Sequence, residues 1–156
     1  MQWASGENPA PHLFVVLGGN GDLMFRKLLP ALYRLYLRGA LPDRFCILGA
    51  ARSAGITDEV YRKRGRQALA DAGIQQLDEA ARWTEQVLHY QSVGGPDGYA
   101  NLADRVARLE VEHELPGNRV FYLALPPGAF GPTIQGLGQV GLNRSSGWTR
   151  IVVEKP

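Results

Sequence analysis

The sequence is poor in the residues that announce extracellular or metal-dependent chemistry. It has a single cysteine, Cys46. An internal disulfide is therefore excluded, and a lone thiol suits a reducing, cytoplasmic compartment. Cys46 lies inside an apolar run, which favours a buried structural thiol. The three histidines, His12, His89 and His113, are far apart and lack ligand-type spacing, so no metal site is expected. Neither charge sign dominates: 17 Lys and Arg against 15 Asp and Glu leave a net charge of +2, with the arginines interspersed among acids. That pattern gives no nucleic-acid footprint. No apolar run approaches the ~20 residues of a membrane-spanning helix. Met1–Pro11 lacks the charged start and apolar centre of a signal peptide, so residues 1–12 read as a flexible leader.

What is present is the balance of a globular domain, with 45% hydrophobic and 21% charged residues over 156 positions. Leu13–Gly18, Phe45–Ala50, Val87–Val93, Arg119–Leu125 and Arg150–Glu154 read as five strands. The first is a continuous apolar run ending in glycine, as expected of a strand covered on both faces. Asp22–Arg38 has helical spacing, and Pro30 inside it predicts a kink or a short first turn. Thr57 reads as an N-cap, with Asp58 and Glu59 in the first turn of a helix to about Ala72. A further helix spans Tyr99–Glu114, and Pro126-Pro127 opens another through about Leu137. This alternation predicts an α/β fold, a doubly wound parallel sheet of about five strands in a three-layer αβα arrangement.

Ligands of such sheets bind beyond the carboxyl ends of the strands, where strand order reverses. Gly18-Gly19-Asn20-Gly21-Asp22-Leu23 follows the first strand, where glycines permit a sharp turn and the next helix turns free N–H groups toward an anion. The spacing is not the full G-x-G-x-x-G pattern. Arg52 and Ser53 follow the second strand, at a position where a 2′-hydroxyl is met by an acid and a 2′-phosphate by a cation. Leu125-Pro126-Pro127 and Glu154-Lys155-Pro156 close the fourth and fifth strands.

Four blocks in order carry a specific resemblance. Gly18–Leu23 with Arg26-Lys27-Leu28-Leu29-Pro30-Ala31-Leu32, then Phe45–Ser53, then Phe121–Pro127, then Gly147–Pro156, together resemble the amino-terminal coenzyme domain of glucose-6-phosphate dehydrogenases. The resemblance covers nearly everything from Leu13 onward. It implies a Rossmann-type NAD(P)-binding domain over residues 13–156, with NADP as cofactor and glucose 6-phosphate as substrate of the full-length enzyme. It further implies an oxidative step that yields 6-phosphogluconolactone, and homo-oligomers.

The resemblance also assigns roles to individual residues. Gly18, Gly19, Asn20, Gly21, Asp22, Leu23, Met24 and Phe25 would cradle the diphosphate and adjoining ribose, and Arg52 with Ser53 would hold the 2′-phosphate. Ser92 and Val93 would meet the adenine side, while Leu125 and Pro126 would line the nicotinamide path. Lys155 would reach cofactor and substrate, and Lys27 would help orient both. Three places depart from the family pattern: Gly19-Asn20 for a small pair such as alanine-serine, Met24-Phe25 for a small and a basic residue, and Ser92 for an acid. The family's large α+β catalytic domain and its histidine base are expected to be absent from this chain. The same features suit two other classes, the coenzyme domain of another NADP-dependent oxidoreductase and a nonenzymatic NADP-binding regulatory module.

Overall fold

Six consecutive buried residues, His12–Leu17, form β1 at the centre of a sheet, where both faces are covered and no side of the strand is left for polar residues. The computed structural model describes residues 9–154; most of the leader and Lys155 lie outside them. β2 (Phe45–Ala51) flanks β1 on one side and β4 (Arg119–Leu123) on the other. β3 (Leu88–Ser92) and β5 (Thr149–Val153) are the edges, giving the order β3-β2-β1-β4-β5, with every pairing parallel. The order reverses between β1 and β4, so the expected switch point falls at their carboxyl ends. Leu17 is in register with Ala50 of β2 and Leu123 of β4.

The alternation of side chains along each strand builds two cores. Phe14, Val16, Ile47 and Tyr90 face α1 (Leu29–Leu37), α2 (Asp58–Asp71) and α3 (Leu77–Val87). Leu13, Val15, Cys46 and Leu48 face α4 (Gly98–Glu112) and α5 (Phe130–Gln139). Tyr33, Tyr61, Leu102 and Phe121 are fully buried, and each such side chain contributes about 1.5–3 kcal/mol of transfer free energy. This is the three-layer, doubly wound arrangement expected from the strand–helix alternation.

The short first turn expected ahead of a second helix at Pro30 is present, while two other local assignments change. A π turn over Met24–Leu28 precedes α1, with the Leu29 N–H bonded to the Met24 carbonyl, and Pro30 follows in the first turn of α1. The widened turn accommodates a residue that has no N–H to give. Residues 77–87, assigned no element from sequence, form α3, whose Ala80, Trp83, Thr84 and Val87 are buried. It runs into β3 without a loop. Pro127–Ala129 form a short 3-10 turn, so the α-helix there begins only at Phe130.

Two of the histidines meet in space. His89 and His113, distant in sequence, stack edge to face with ring centroids 5.4 Å apart. His89 pairs in register with Leu48, and α4 returns its last turn to the amino-terminal edge of the sheet, where His113 caps it.

Candidate functional site

The turn after β1 is fixed by close backbone approach. Gly18 adopts φ +82°, and a Cβ there would lie 2.3 Å from the Ala124 carbonyl oxygen at the end of β4. Only glycine meets both conditions without strain. Gly18 and Gly19 donate their N–H groups to the Ala50 carbonyl at 2.8 and 3.1 Å. A side chain at Gly19 would meet the Gly49 Cα at 2.8 Å. The turn is thus wedged between β2 and β4, and the N–H groups of the following first helical turn remain available to an anion.

Side chains brace the turn from α2 and from the loop after β2. The buried Tyr61 hydroxyl donates to the Gly19 carbonyl at 2.6 Å. Asn20 donates to the Ser53 hydroxyl at 3.2 Å and accepts from Arg64. The Arg64 guanidinium also lies over the Phe25 ring, 4.4 Å from its centroid. Tyr90 donates to the Ser53 carbonyl at 2.7 Å. Ser53, Asn20 and Arg64 therefore form one polar cluster beside the turn.

Arg52 is exposed next to this cluster. Its carbonyl accepts from the Ser92 hydroxyl at 3.4 Å, and that hydroxyl in turn accepts from the Gly94 N–H at 3.2 Å. Ser92 thus ties the loop after β3 to the loop after β2. A cleft of ≈ 360 Å³ opens between these ends, lined by Gly18, Arg52, Val93, Tyr99, Leu125 and Pro126 among others. Its apolar wall, with a cation and a glycine turn at the rim, is suited to a flat ring joined to phosphates.

The sequence-predicted residues divide as follows. Gly18, Arg52, Val93, Leu125 and Pro126 line one cleft. Gly19, Asn20 and Ser53 frame its rim through hydrogen bonds, and Ser92 does so from β3. Gly21 and Asp22 are exposed at the turn, Leu23 is half-buried, and Lys27 is exposed on the π turn. Met24 is fully buried in the α1 core, so its side chain serves packing and only its backbone faces the turn. Phe25 packs partly against the same core beneath Arg64. Lys155 lies outside the described residues. Its neighbour Glu154 accepts from the Tyr122 hydroxyl at 2.5 Å, and burial together with this carboxylate pushes the phenol pKa up.

Sequence reasoning missed Tyr61, Arg64 and Tyr99. Tyr61 and Gly65 stand one helical turn apart, and that spacing was the available signal for the α2 face that meets the turn.

The three histidines stand away from this cleft. His12 opens β1 and His89 follows the first residue of β3, while His113 ends α4, so all lie toward the amino-terminal edge of the sheet. His12 packs on Phe45 and Trp148. Burial pushes the Cys46 thiol up to about 12, which marks it as an unreactive thiol in the apo fold.

A doubly wound parallel sheet with a glycine turn and a cleft at its switch point defines a dinucleotide-binding α/β domain. The chain belongs to the glucose-6-phosphate dehydrogenase family: residues 15–156 match the family described as glucose-6-phosphate dehydrogenase, NAD binding domain. It is 38% identical over 148 residues to glucose-6-phosphate 1-dehydrogenase of Aggregatibacter actinomycetemcomitans, covering 91% of this chain and 29% of the relative. It is 40% identical over 152 residues to the Arabidopsis thaliana protein named glucose-6-phosphate 1-dehydrogenase 6, cytoplasmic, covering 91% of this chain and 29% of that one. The crystal structure of the Mycobacterium avium glucose-6-phosphate 1-dehydrogenase superposes with a TM-score of 0.75 at 30% identity, over 95% of this chain and 30% of that one. A glucose-6-phosphate dehydrogenase in complex with glucose 6-phosphate gives a TM-score of 0.81 at 29% identity, over 98% and 32%. The chain therefore spans about 30% of the length of these relatives. No helix among the described residues is long and apolar enough to cross a membrane.

Proposed function

We propose that this domain binds NADP across the carboxyl ends of β1, β2 and β4, and that the protein it serves oxidises glucose 6-phosphate. The observation that carries the coenzyme choice is Arg52, an exposed residue that lines the cleft next in sequence to Ser53 and whose guanidinium has no hydrogen-bond or ion-pair partner among the described residues. A dinucleotide with a free 2′-hydroxyl is usually met by a carboxylate at this place, and a 2′-phosphate by a cation. Gly18–Phe25 cradle the diphosphate and adjoining ribose, with the free N–H groups of the first helical turn toward the anion. Ser92 and Val93 border the adenine. Leu125 and Pro126 border the nicotinamide, and Lys27 and Lys155 orient substrate and coenzyme.

The bound coenzyme supplies a hydride acceptor for carbon 1 of the sugar, with 6-phosphogluconolactone as product. This domain's contribution is binding and orientation. The wedged turn fixes the N–H groups of the helical turn that follows before the diphosphate arrives, so little ordering is needed on binding. Calorimetric titration of NADP and NAD into the wild-type chain and Arg52→Ala tests the reading. Charged hydrogen bonds contribute about 1.5–3 kcal/mol, and exposure lets salt screen part of this. Arg52→Ala should weaken NADP by about tenfold or more and leave NAD nearly unchanged. Equal losses for both coenzymes would remove the 2′-phosphate assignment.

A further inference from the structure

At the opposite end of the sheet, side chains from three distant places converge. Cys46 near the start of β2, His89 near the start of β3 and His113 at the end of α4 each offer a ligand atom, all within 4.8 Å of one another. Topology explains the meeting. Cys46 and Leu48 project to the α4 face, and His89 stands in register with Leu48. The crossover from β3 through α4 then delivers His113 onto the same face.

The cluster carries an independent sign of a missing partner. His89 is only 6% exposed, and its Nε2 is buried with no hydrogen-bond partner among the described residues. A buried polar atom left unmet in this way is destabilising. The other ring nitrogen is engaged. His89 Nδ1 lies 3.4 Å from Asp58 Oδ2 and 3.2 Å from Arg62 Nη2. When Nδ1 carries the proton it donates to Asp58, and Nε2 presents a bare lone pair. A carboxylate behind a histidine in this way fixes the tautomer and orientation of metal-binding imidazoles. Asp58 is itself held. Burial works against its charge, but hydrogen bonds from His89, the Tyr90 N–H and Arg105 outweigh this and keep the carboxyl well below its usual range. Arg62, the nearby cation, is balanced by Asp58 at 4.0 Å and Glu85 at 3.5 Å.

We propose that Cys46, His89 and His113 form a binding site for a zinc-class divalent cation, coordinated by one thiolate and two imidazoles. The donor set selects the metal. Sulfur with imidazole suits zinc and its borderline-soft neighbours, whereas calcium and magnesium require oxygen ligands. In a tetrahedral zinc site with bonds of about 2.0–2.3 Å, ligand atoms stand roughly 3.5 Å apart. The cluster therefore needs to close by about 1.3 Å at most, and the half-buried His113 ring at the helix end can supply that motion. His89 and His113 also line a cavity of ≈ 470 Å³, which gives the ion an entry path and leaves a fourth position for water. Coordination sends the Cys46 thiol proton to solvent as the metal–sulfur bond forms. The bound ion then staples the end of α4 to β2 and β3, away from the coenzyme cleft.

Titration of the metal-free chain with Co²⁺, followed by displacement with Zn²⁺, tests the site. One equivalent of Co²⁺ should bind, with thiolate-to-cobalt charge-transfer absorption and the intense visible bands of a tetrahedral centre. Zn²⁺ should bleach both and raise the melting temperature. Cys46→Ala should abolish the charge-transfer band, and His113→Gln, at the half-buried rim, should weaken Co²⁺ by at least about tenfold. If Cys46→Ala fails to fold, His113→Gln decides. A folded wild-type chain, shown by circular dichroism and a cooperative melt, that gains no such absorption overturns the proposal. So does an unchanged Co²⁺ affinity in His113→Gln.

Discussion

The Tyr61 hydroxyl donates to the Gly19 carbonyl from the space that a side chain at Gly49 would need, since a Cβ there would lie 2.0 Å from the Tyr61 oxygen. One buried tyrosine thus links α2, β2 and the glycine turn. Tyr61→Phe leaves the Gly19 carbonyl without this donor, and a loss of about 1–3 kcal/mol in urea unfolding is expected. Gly49→Ala should be at least as damaging, because the ring must leave its place; overpacking of this kind costs about 1–3 kcal/mol. A Tyr61→Phe chain as stable as wild type would mean that the bond contributes nothing net.

Arg64 touches the turn through Asn20 and Phe25, and it differs from Arg52 in what it can distinguish. A cation that braces the glycine turn should act on NADP and NAD alike. Arg64→Ala should therefore weaken both coenzymes by a similar factor, about threefold to tenfold, given an exposed charged contact reduced by screening. Calorimetry of both coenzymes separates the two arginines. A loss confined to NADP would place Arg64 at the 2′-phosphate instead.

Arg119 opens β4 and grips Glu110 of α4 with two bonds, at 3.0 and 2.7 Å, while its remaining nitrogen donates to the Leu142 and Arg144 carbonyls at 3.2 Å. Both side chains are 12% exposed. Removing one partner leaves a mostly buried charge, and Glu110→Ala should cost about 3–5 kcal/mol in denaturant unfolding. Replacing both with apolar residues should cost less than the single change. A double-mutant cycle reads the difference, and additive losses would count against a coupled pair.

His12 gives the fold a pH dependence. Burial lowers its pKa below 6.5, against the raising influence of a bond to the Ala10 carbonyl, with Arg150 lowering it further. The unfolded chain takes up this proton more readily than the folded one. Stability from this group is therefore fully present above pH 6.5 and is lost as pH falls through the folded pKa. Unfolding curves at about pH 7.5 and about pH 5.5 should show a larger loss for wild type than for His12→Phe. The comparison isolates His12 from His113, which burial also depresses. Equal losses in the two chains would show that His12 does not titrate differently on folding.

The strands were legible because a strand covered on both faces is written as an unbroken apolar run, as in Leu13–Leu17 and Phe45–Ala51. The turn and Arg52 were legible because they sit directly after such runs. Helix α3 was not. Its buried face is made partly of Ala80 and Thr84, its Leu77 is 48% exposed, and no glycine or proline separates it from β3. The meeting of Cys46, His89 and His113 depends on which strands are neighbours and where α4 returns, and periodicity along the chain carries neither fact. Met24 looked like part of the ligand turn by position, but the π turn rotates it into the core.

The chain alone should not oxidise glucose 6-phosphate. All three histidines lie toward the sheet end opposite the cleft, so none is placed to take a hydroxyl proton from a substrate at the cleft. General-base catalysis contributes about 10²–10⁴-fold, and losing substrate positioning costs more. Absorbance of NADPH above the uncatalysed background, from the purified 156-residue chain with saturating substrate, would refute this expectation.

The π turn at Met24–Leu28 works as a phase shift. An α-helix advances about 100° per residue, and one extra residue in a turn offsets everything before it by that angle relative to everything after. Leu29, Leu32 and Tyr33 can then lie on the sheet while Asp22 and Leu23 keep their place directly after the glycine turn. A single-residue deletion within 24–28 would restore an uninterrupted α-helix that is locally more regular. It would also swing the amide end of that helix away from the cleft, so a folded chain made tidier by this measure should lose its affinity for a dinucleotide.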